Sequence, residues 1–320
     1  MNSEEAAELC REAVMYMTGT GGYERRPDEA ARIFSAVADK GFSQGIFGLA
    51  EILMVGYGAA QDQERAKGLY EKAASMGHVE SSFRLGMIYT GDYGLPADPE
   101  ASYRHFLVAA EAGMLEAFAY VAEYLFNGYG TERDMRAAFR WFLRSAEAND
   151  VVSMFKAGYM YEEGVGTEKD QDKASELFRR SAEEGLPEAQ MKMAELSFSG
   201  RIPGGEDEAF RWYSKAADAG ITTAKVSLGT LHYEGRGTQR NLEKAYELYS
   251  QASDEGDADA SFLKGRMEIQ GTGTDCDPDR GLKSMSKAAE QGSEEVKQLL
   301  EELRRAQNTQ FIRIDGNGKD

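Results

Sequence analysis

The chain has 320 residues, 37 of them basic and 55 acidic, for a net charge of −18 with 42% hydrophobic residues. Without a basic stripe, that balance argues against nucleic acid as a partner, and no run of about 18 apolar residues is present to span a membrane. The acidic opening MNSEEAAELCREA lacks the apolar core of a secretory signal, so a cytoplasmic location is expected.

In chain order, a first helix is predicted around residues 3–17, as a cap, and then one pattern recurs. Gly41, Gly77, Gly113, Gly185, Gly220, Gly256 and Gly292 are spaced by 36 residues or multiples of it, apart from one gap of 35, and Asn149 fills the missing slot. A period in this range is the signature of a solenoid. Before each of these glycines lies a predicted helix with a small residue (Ala30, Ala66, Ala138, Ala174, Ala209, Ala245) and, four residues on, a large one (Phe34, Tyr70, Phe106, Phe142, Phe178, Tyr213, Tyr249, Met285). That spacing puts both on one helix face. Asp62, Asp98, Asp134, Asp170, Asn241 and Asp277 stand where N-caps are needed. The recurrent glycine closes the helix in a left-handed conformation, for which asparagine is the usual second choice.

A second helix is predicted after each glycine. Counting from the residue after it, position 9 is small (Ala50, Gly86, Ala122, Gly158, Ala194, Gly229, Gly265), position 11 is apolar or aromatic, and a Gly-x-Gly turn such as Gly128-Tyr129-Gly130 follows in most units. Looser turns are expected in the first unit, where Arg26 replaces the cap, and in the sixth, which has Ile202 and Gly205 in place of glycine and aspartate. Residues 293–306, SEEVKQLLEELRRA, read as a C-terminal capping helix with acids first and bases last, as the helix dipole favours. Residues 307–320 read as a flexible tail, although Phe311, Ile312 and Ile314 give it some apolar character.

These residues resemble the Sel-one-like repeat family, 36-residue relatives of tetratricopeptide repeats. The resemblance rests on Leu228-Gly229 with Gly235 and Gly237, on Asp170 with Lys173-Ala174, and on Trp212-Tyr213 with Ala216-Ala217 and Gly220, repeated in phase from residue 5 to 292. It implies an all-α right-handed superhelical solenoid of about eight helix-turn-helix repeats over residues 1–292, each leaning mainly on its neighbours. It also implies adaptor roles, chiefly bacterial. Hydrolase-like or small-ligand-binding activity is the alternative it carries, and self-assembly through the solenoid ends is a third reading.

Reactive constellations are sparse. His78, His105 and His232 stand apart from one another, and Trp141 and Trp212 occupy the tryptophan slot of the repeat. Cys10 and Cys276 lie near opposite ends, so no internal disulfide is expected. The loop Asp275-Cys276-Asp277-Pro278-Asp279 lacks the glycine and glutamate of a calcium loop and reads as a helix cap. No catalytic set, metal or cofactor is therefore expected.

What remains is the helix after each glycine, the one that lines the concave side in tetratricopeptide-like folds. Position 6 holds Phe47, Phe83, Phe155 and Phe262, position 10 holds Glu51, Tyr159, Glu123 and Glu195, and position 13 adds Tyr233. Such a stripe suits an apolar protein or peptide segment carrying Lys or Arg. The same phenylalanines buried between repeats would instead leave a solvated acidic face. The chain is expected to act as a monomeric, non-catalytic scaffold.

Overall fold

In a computed structural model, residues 1–303 and 305 are described, and they are helical throughout, with no strand among them. The expected tail, residues 307–320, lies outside the described residues, as do 304 and 306 of the expected capping helix. The chain divides into two units, Met1–Gln171 and Asp172–Asp320.

The first unit holds α1 (Ser3–Thr18), α2 (Pro27–Asp39), α3 (Ser43–Val55), α4 (Gln63–Ser75), α5 (Val79–Ile88), α6 (Pro99–Glu111), α7 (Leu115–Asn127), α8 (Met135–Glu147) and α9 (Val151–Glu163). The second holds nearly all of α10 (Gln171–Glu183), then α11 (Pro187–Phe198), α12 (Gly205–Asp218), α13 (Thr222–Glu234), α14 (Leu242–Asp254), α15 (Ala258–Gln270) and α16 (Pro278–Glu290). A last helix, α17, runs from 294 to 303. Odd-numbered helices from α3 to α15 follow a recurrent glycine or Asn149 and are called first helices below, as is α1, and their even-numbered successors second helices.

Local chemistry sets the boundaries. Asp62, Asp98 and Asp134 in the first unit, and Asn241 and Asp277 in the second, each accept a backbone N–H of the following turn at 2.8–3.0 Å. Each such cap is worth about 1 kcal/mol. Arg26 makes no side-chain cap, and α2 relies on Pro27 at its first position. In the sixth unit α12 likewise starts without one, behind Gly204, while Ile202 is buried and anchors the altered turn. Caps on first helices went unread in the sequence: Asn2 forms a capping box with Glu5, and Asp150 and Asp257 cap α9 and α15. At the helix stops, Asn149 (φ 65°) is the one described non-glycine residue with positive φ, in the register of glycines that share that conformation.

Packing explains the small-and-large pattern. The second-helix aromatics Tyr70, Phe106, Phe142 and Phe178 are among the largest fully buried side chains. Each contributes on the order of 2–3 kcal/mol by leaving water. Position 9 must be small because the ring seats on it: a Cβ at Gly86 would lie 2.6 Å from the Phe106 ring, and one at Gly229 would lie 2.8 Å from that of Tyr249. Where Ser102 replaces the usual alanine, its hydroxyl is satisfied by the Gly86 carbonyl and the Tyr124 hydroxyl, both at 2.7 Å. The second glycine of the Gly-x-Gly turn has a longer reach than a turn requires. A Cβ on Gly130 would meet the Pro99 carbonyl oxygen at 2.1 Å, and the same approach recurs at Gly58, Gly166, Gly237 and Gly273. This residue therefore locks one repeat onto the first turn of the second helix before it. At the C-terminal end, Val296 and Leu300 of α17 pack on Met285 and Ala288.

Candidate interaction face

In the first unit, the exposed stripe of the first helices is cross-linked between repeats. Glu51 on α3 accepts hydrogen bonds from Arg84 on α5 through Nε (2.8 Å) and Nη2 (3.0 Å), and from the Tyr70 hydroxyl at 2.6 Å. Burial, and then the Glu51 charge, push the Tyr70 phenol well above its ordinary value. Glu123 on α7 is paired in the same way with Lys156 on α9. Position 10 of one repeat thus meets position 7 of the next, and the two carboxylates are already committed to structure.

The position 6 rings are half-buried. Phe47 packs on Tyr70 and on the His78 imidazole, with centroids 5.8 and 4.7 Å away, and Phe83 packs on Phe106 and Tyr120 at 5.6 and 5.7 Å. Phe155 is half-buried on α9, whereas Tyr159 on the same helix is 46% exposed. Phe47 and Glu51 line a common cavity; Phe83, Glu123, Phe155 and Tyr159 lie outside it.

In the second unit, Glu195 on α11 is exposed. Its charge adds to burial in raising the Tyr213 phenol, and Ser227 stands where Arg84 and Lys156 stand in the first unit. The guanidinium groups of Arg240 and Arg266 lie 5.7 and 5.9 Å from the Tyr233 ring centroid. Phe262 packs into the cluster of Met285, Ala288 and Val296.

A cavity of about 640 Å³ lies between α1 and α3 in the first unit. Its lining is largely apolar and includes Val14, Met15, Met17, Phe34, Phe47 and Gly48, with Glu51 and His78 among its polar members. Sequence reading passed over Gly48 and Met15. The signal was present, since position 7 holds Arg84, Tyr120, Lys156 and Lys192 but glycine in the second repeat.

Titratable groups elsewhere serve packing. His78, His105 and His232 contact Phe47, Tyr89 and Phe210 respectively, and burial lowers the pKa of each. Asp277 caps α16, and Arg280 turns back to the Asp275 carbonyl. Arg144 covers the rings of Trp141 and Phe118, and Trp212 is buried beneath Lys215. Glu268 on α15 is fully buried. It accepts hydrogen bonds from Tyr246 (2.8 Å) on α14 and Ser284 (2.6 Å) on α16. Arg280 Nε lies 3.1 Å from it, off the hydrogen-bond direction, so that contact is an ion pair alone. This network ties three helices together.

Comparison with known proteins agrees with this architecture. A protective antigen present in uropathogenic Escherichia coli strains, displaying an SLR fold, superposes with a TM-score of 0.81 at 29% identity over 91% of this chain. The chain spans 62% of that structure's length. A Sel1 repeat protein from Oxalobacter formigenes superposes with a TM-score of 0.68 at 24% identity, covering 93% of this chain and 87% of that one. No curated protein matches the chain. The Sel1 repeat model matches residues 6–42, 43–78, 79–114, 116–150, 151–186, 187–221, 223–257 and 259–293, so the chain belongs to the Sel1 repeat family and its fold is an all-α solenoid of eight repeats.

Proposed function

We propose that this protein is a non-catalytic scaffold that holds a protein or peptide partner on the face made by its first helices. Sel1 repeat proteins are generally protein-interaction scaffolds. The observation that carries the reading is the division of labour between helices. The second helices bury their large aromatics, while the first helices keep Phe47, Phe83 and Tyr159 partly open to solvent, and Phe47 lines the apolar cavity beside α1. The cavity lining of Val14, Met15, Met17 and Phe47 is partly exposed and contiguous, and surface of that kind marks interaction sites. The chain's net charge of −18 steers a basic partner toward it. Among the described residues, no helix is long and apolar enough to cross a membrane.

Tyr159→Ser and Glu195→Lys alter exposed positions in the two units separately. Each should weaken capture of the partner recovered by affinity purification about 30-fold if it lies at a hot spot, where truncation costs at least about 2 kcal/mol. Thermal stability should stay unchanged. Undiminished capture by both variants would remove the proposal.

A further inference from the structure

In the first unit, neighbouring first helices are joined by a matched pair, and the match follows charge. Glu51 is answered by Arg84 and Glu123 by Lys156. Between these, position 10 is the uncharged Met87, and position 7 of the next repeat is Tyr120, also uncharged. The position 7 side chain lies against the aromatic of the intervening second helix. Tyr120 stacks on Phe106 at 4.5 Å with planes 10° apart, and Lys156 Nζ sits 5.5 Å from the Phe142 centroid. Arg84 and Tyr70 meet on the same carboxylate.

The first slot departs from this pattern. Position 10 is Met15, the second-helix aromatic is Phe34, and position 7 is Gly48. The Phe34 ring lies so close to Gly48 that a Cβ there would come within 2.2 Å of it, and the cavity of about 640 Å³ opens above them. What fills the slot in the later repeats of the first unit is a side chain of this chain; here the described residues supply none.

We propose that this cavity is a subsite for one aromatic side chain, tyrosine- or phenylalanine-like, presented by a bound peptide or protein segment. The inference deepens the scaffold reading and rests on it. Charge complementarity selects the occupant. Met15 has replaced the acid that receives Arg or Lys in the charged slots, and the oxygens of Glu51 are already held by Tyr70 and Arg84. A cation entering here would lose its hydration without gaining a free carboxylate. The internal precedent for an uncharged slot is the Tyr120 ring on Phe106. A ring gains edge and face contacts with Phe34 and Phe47, and sulfur contacts with Met15 and Met17, that an aliphatic side chain forgoes.

The test uses the full chain carrying ¹³C-methyl methionine, with Met15 and Met17 assigned through Met15→Leu and Met17→Leu. The probes are the blocked tripeptides acetyl-Gly-Tyr-Gly-amide and acetyl-Gly-Leu-Gly-amide. The tyrosine probe should shift the Met15 and Met17 methyls upfield and saturably, and bind about fivefold more tightly than the leucine probe. Val14→Arg, a change at a half-exposed position of the lining, should weaken that binding at least about tenfold while the other methionine signals stay in place. Absence of a saturable shift, equal affinity for the two probes, or indifference to Val14→Arg would overturn the subsite. Because the probes are tripeptides, such a failure leaves partner capture through Tyr159 and Glu195 standing. Loss of the scaffold reading would show in that capture experiment instead.

Discussion

Gly130→Ala should destabilise the first unit by about 2–5 kcal/mol, read as a lowered urea midpoint. Two costs combine. The backbone at Gly130 has φ 65°, a conformation in which a Cβ crowds the following carbonyl, costing about 1–2 kcal/mol. The new methyl would also lie 2.1 Å from the Pro99 carbonyl oxygen and 2.9 Å from the Glu100 nitrogen. Both are backbone atoms in the first turn of α6, so no side chain can rotate away, and displacing a packed helix end costs about 1–3 kcal/mol more. Gly113→Ala separates the two contributions. Its φ is 91° but a Cβ there meets nothing within 4 Å, so the conformational cost alone should appear. Equal losses for the two variants would mean that the turn glycine does not lock adjacent repeats.

Glu268→Ala should cost about 2–4 kcal/mol, from two hydroxyls left without their acceptor and from the void that remains. The variant strands the Tyr246 and Ser284 hydroxyls that now donate to the carboxylate, and it leaves a void between α14, α15 and α16. Arg280 is 43% exposed and can turn to water, so the loss falls on the hydroxyls and the packing. Repeats are held mainly by their neighbours. Amide exchange should therefore quicken selectively in α14–α16, with α3–α8 unchanged. Uniform acceleration over the chain, or none, would contradict this local role.

Much of the fold was legible because its determinants repeat in phase. One glycine is ambiguous, but the Gly41-to-Gly292 series, with Asn149 in register, can be satisfied only by helices that stop at the same beat. The caps at Asp62, Asp98 and Asp134 were readable for a similar reason, since a cap acts on amides two or three residues away. Interactions across the repeat were not. Glu51 looked free because its partner Arg84 lies 33 residues on, far outside the three- or four-residue window of helix pairing. The same distance hid Lys156 from Glu123. Glu268 occupies the slot held by Tyr89 and Tyr161 in other units, and nothing local marks its carboxylate as buried. The α1–α3 cavity was missed because it is made by what position 7 lacks at Gly48, and a periodicity search rewards what recurs.

A partner held by this scaffold should lie on the first-helix face. Hydroxyl-radical footprinting of the chain, free and bound to its affinity-purified partner, tests it most directly because it reads side-chain exposure residue by residue. Protection is expected at Tyr159 and at Val14 and Met15, with unchanged reactivity at Val108, which is exposed on α6. Protection at Val108, with Tyr159, Val14 and Met15 as reactive as in the free chain, would place the partner on the second helices and contradict it.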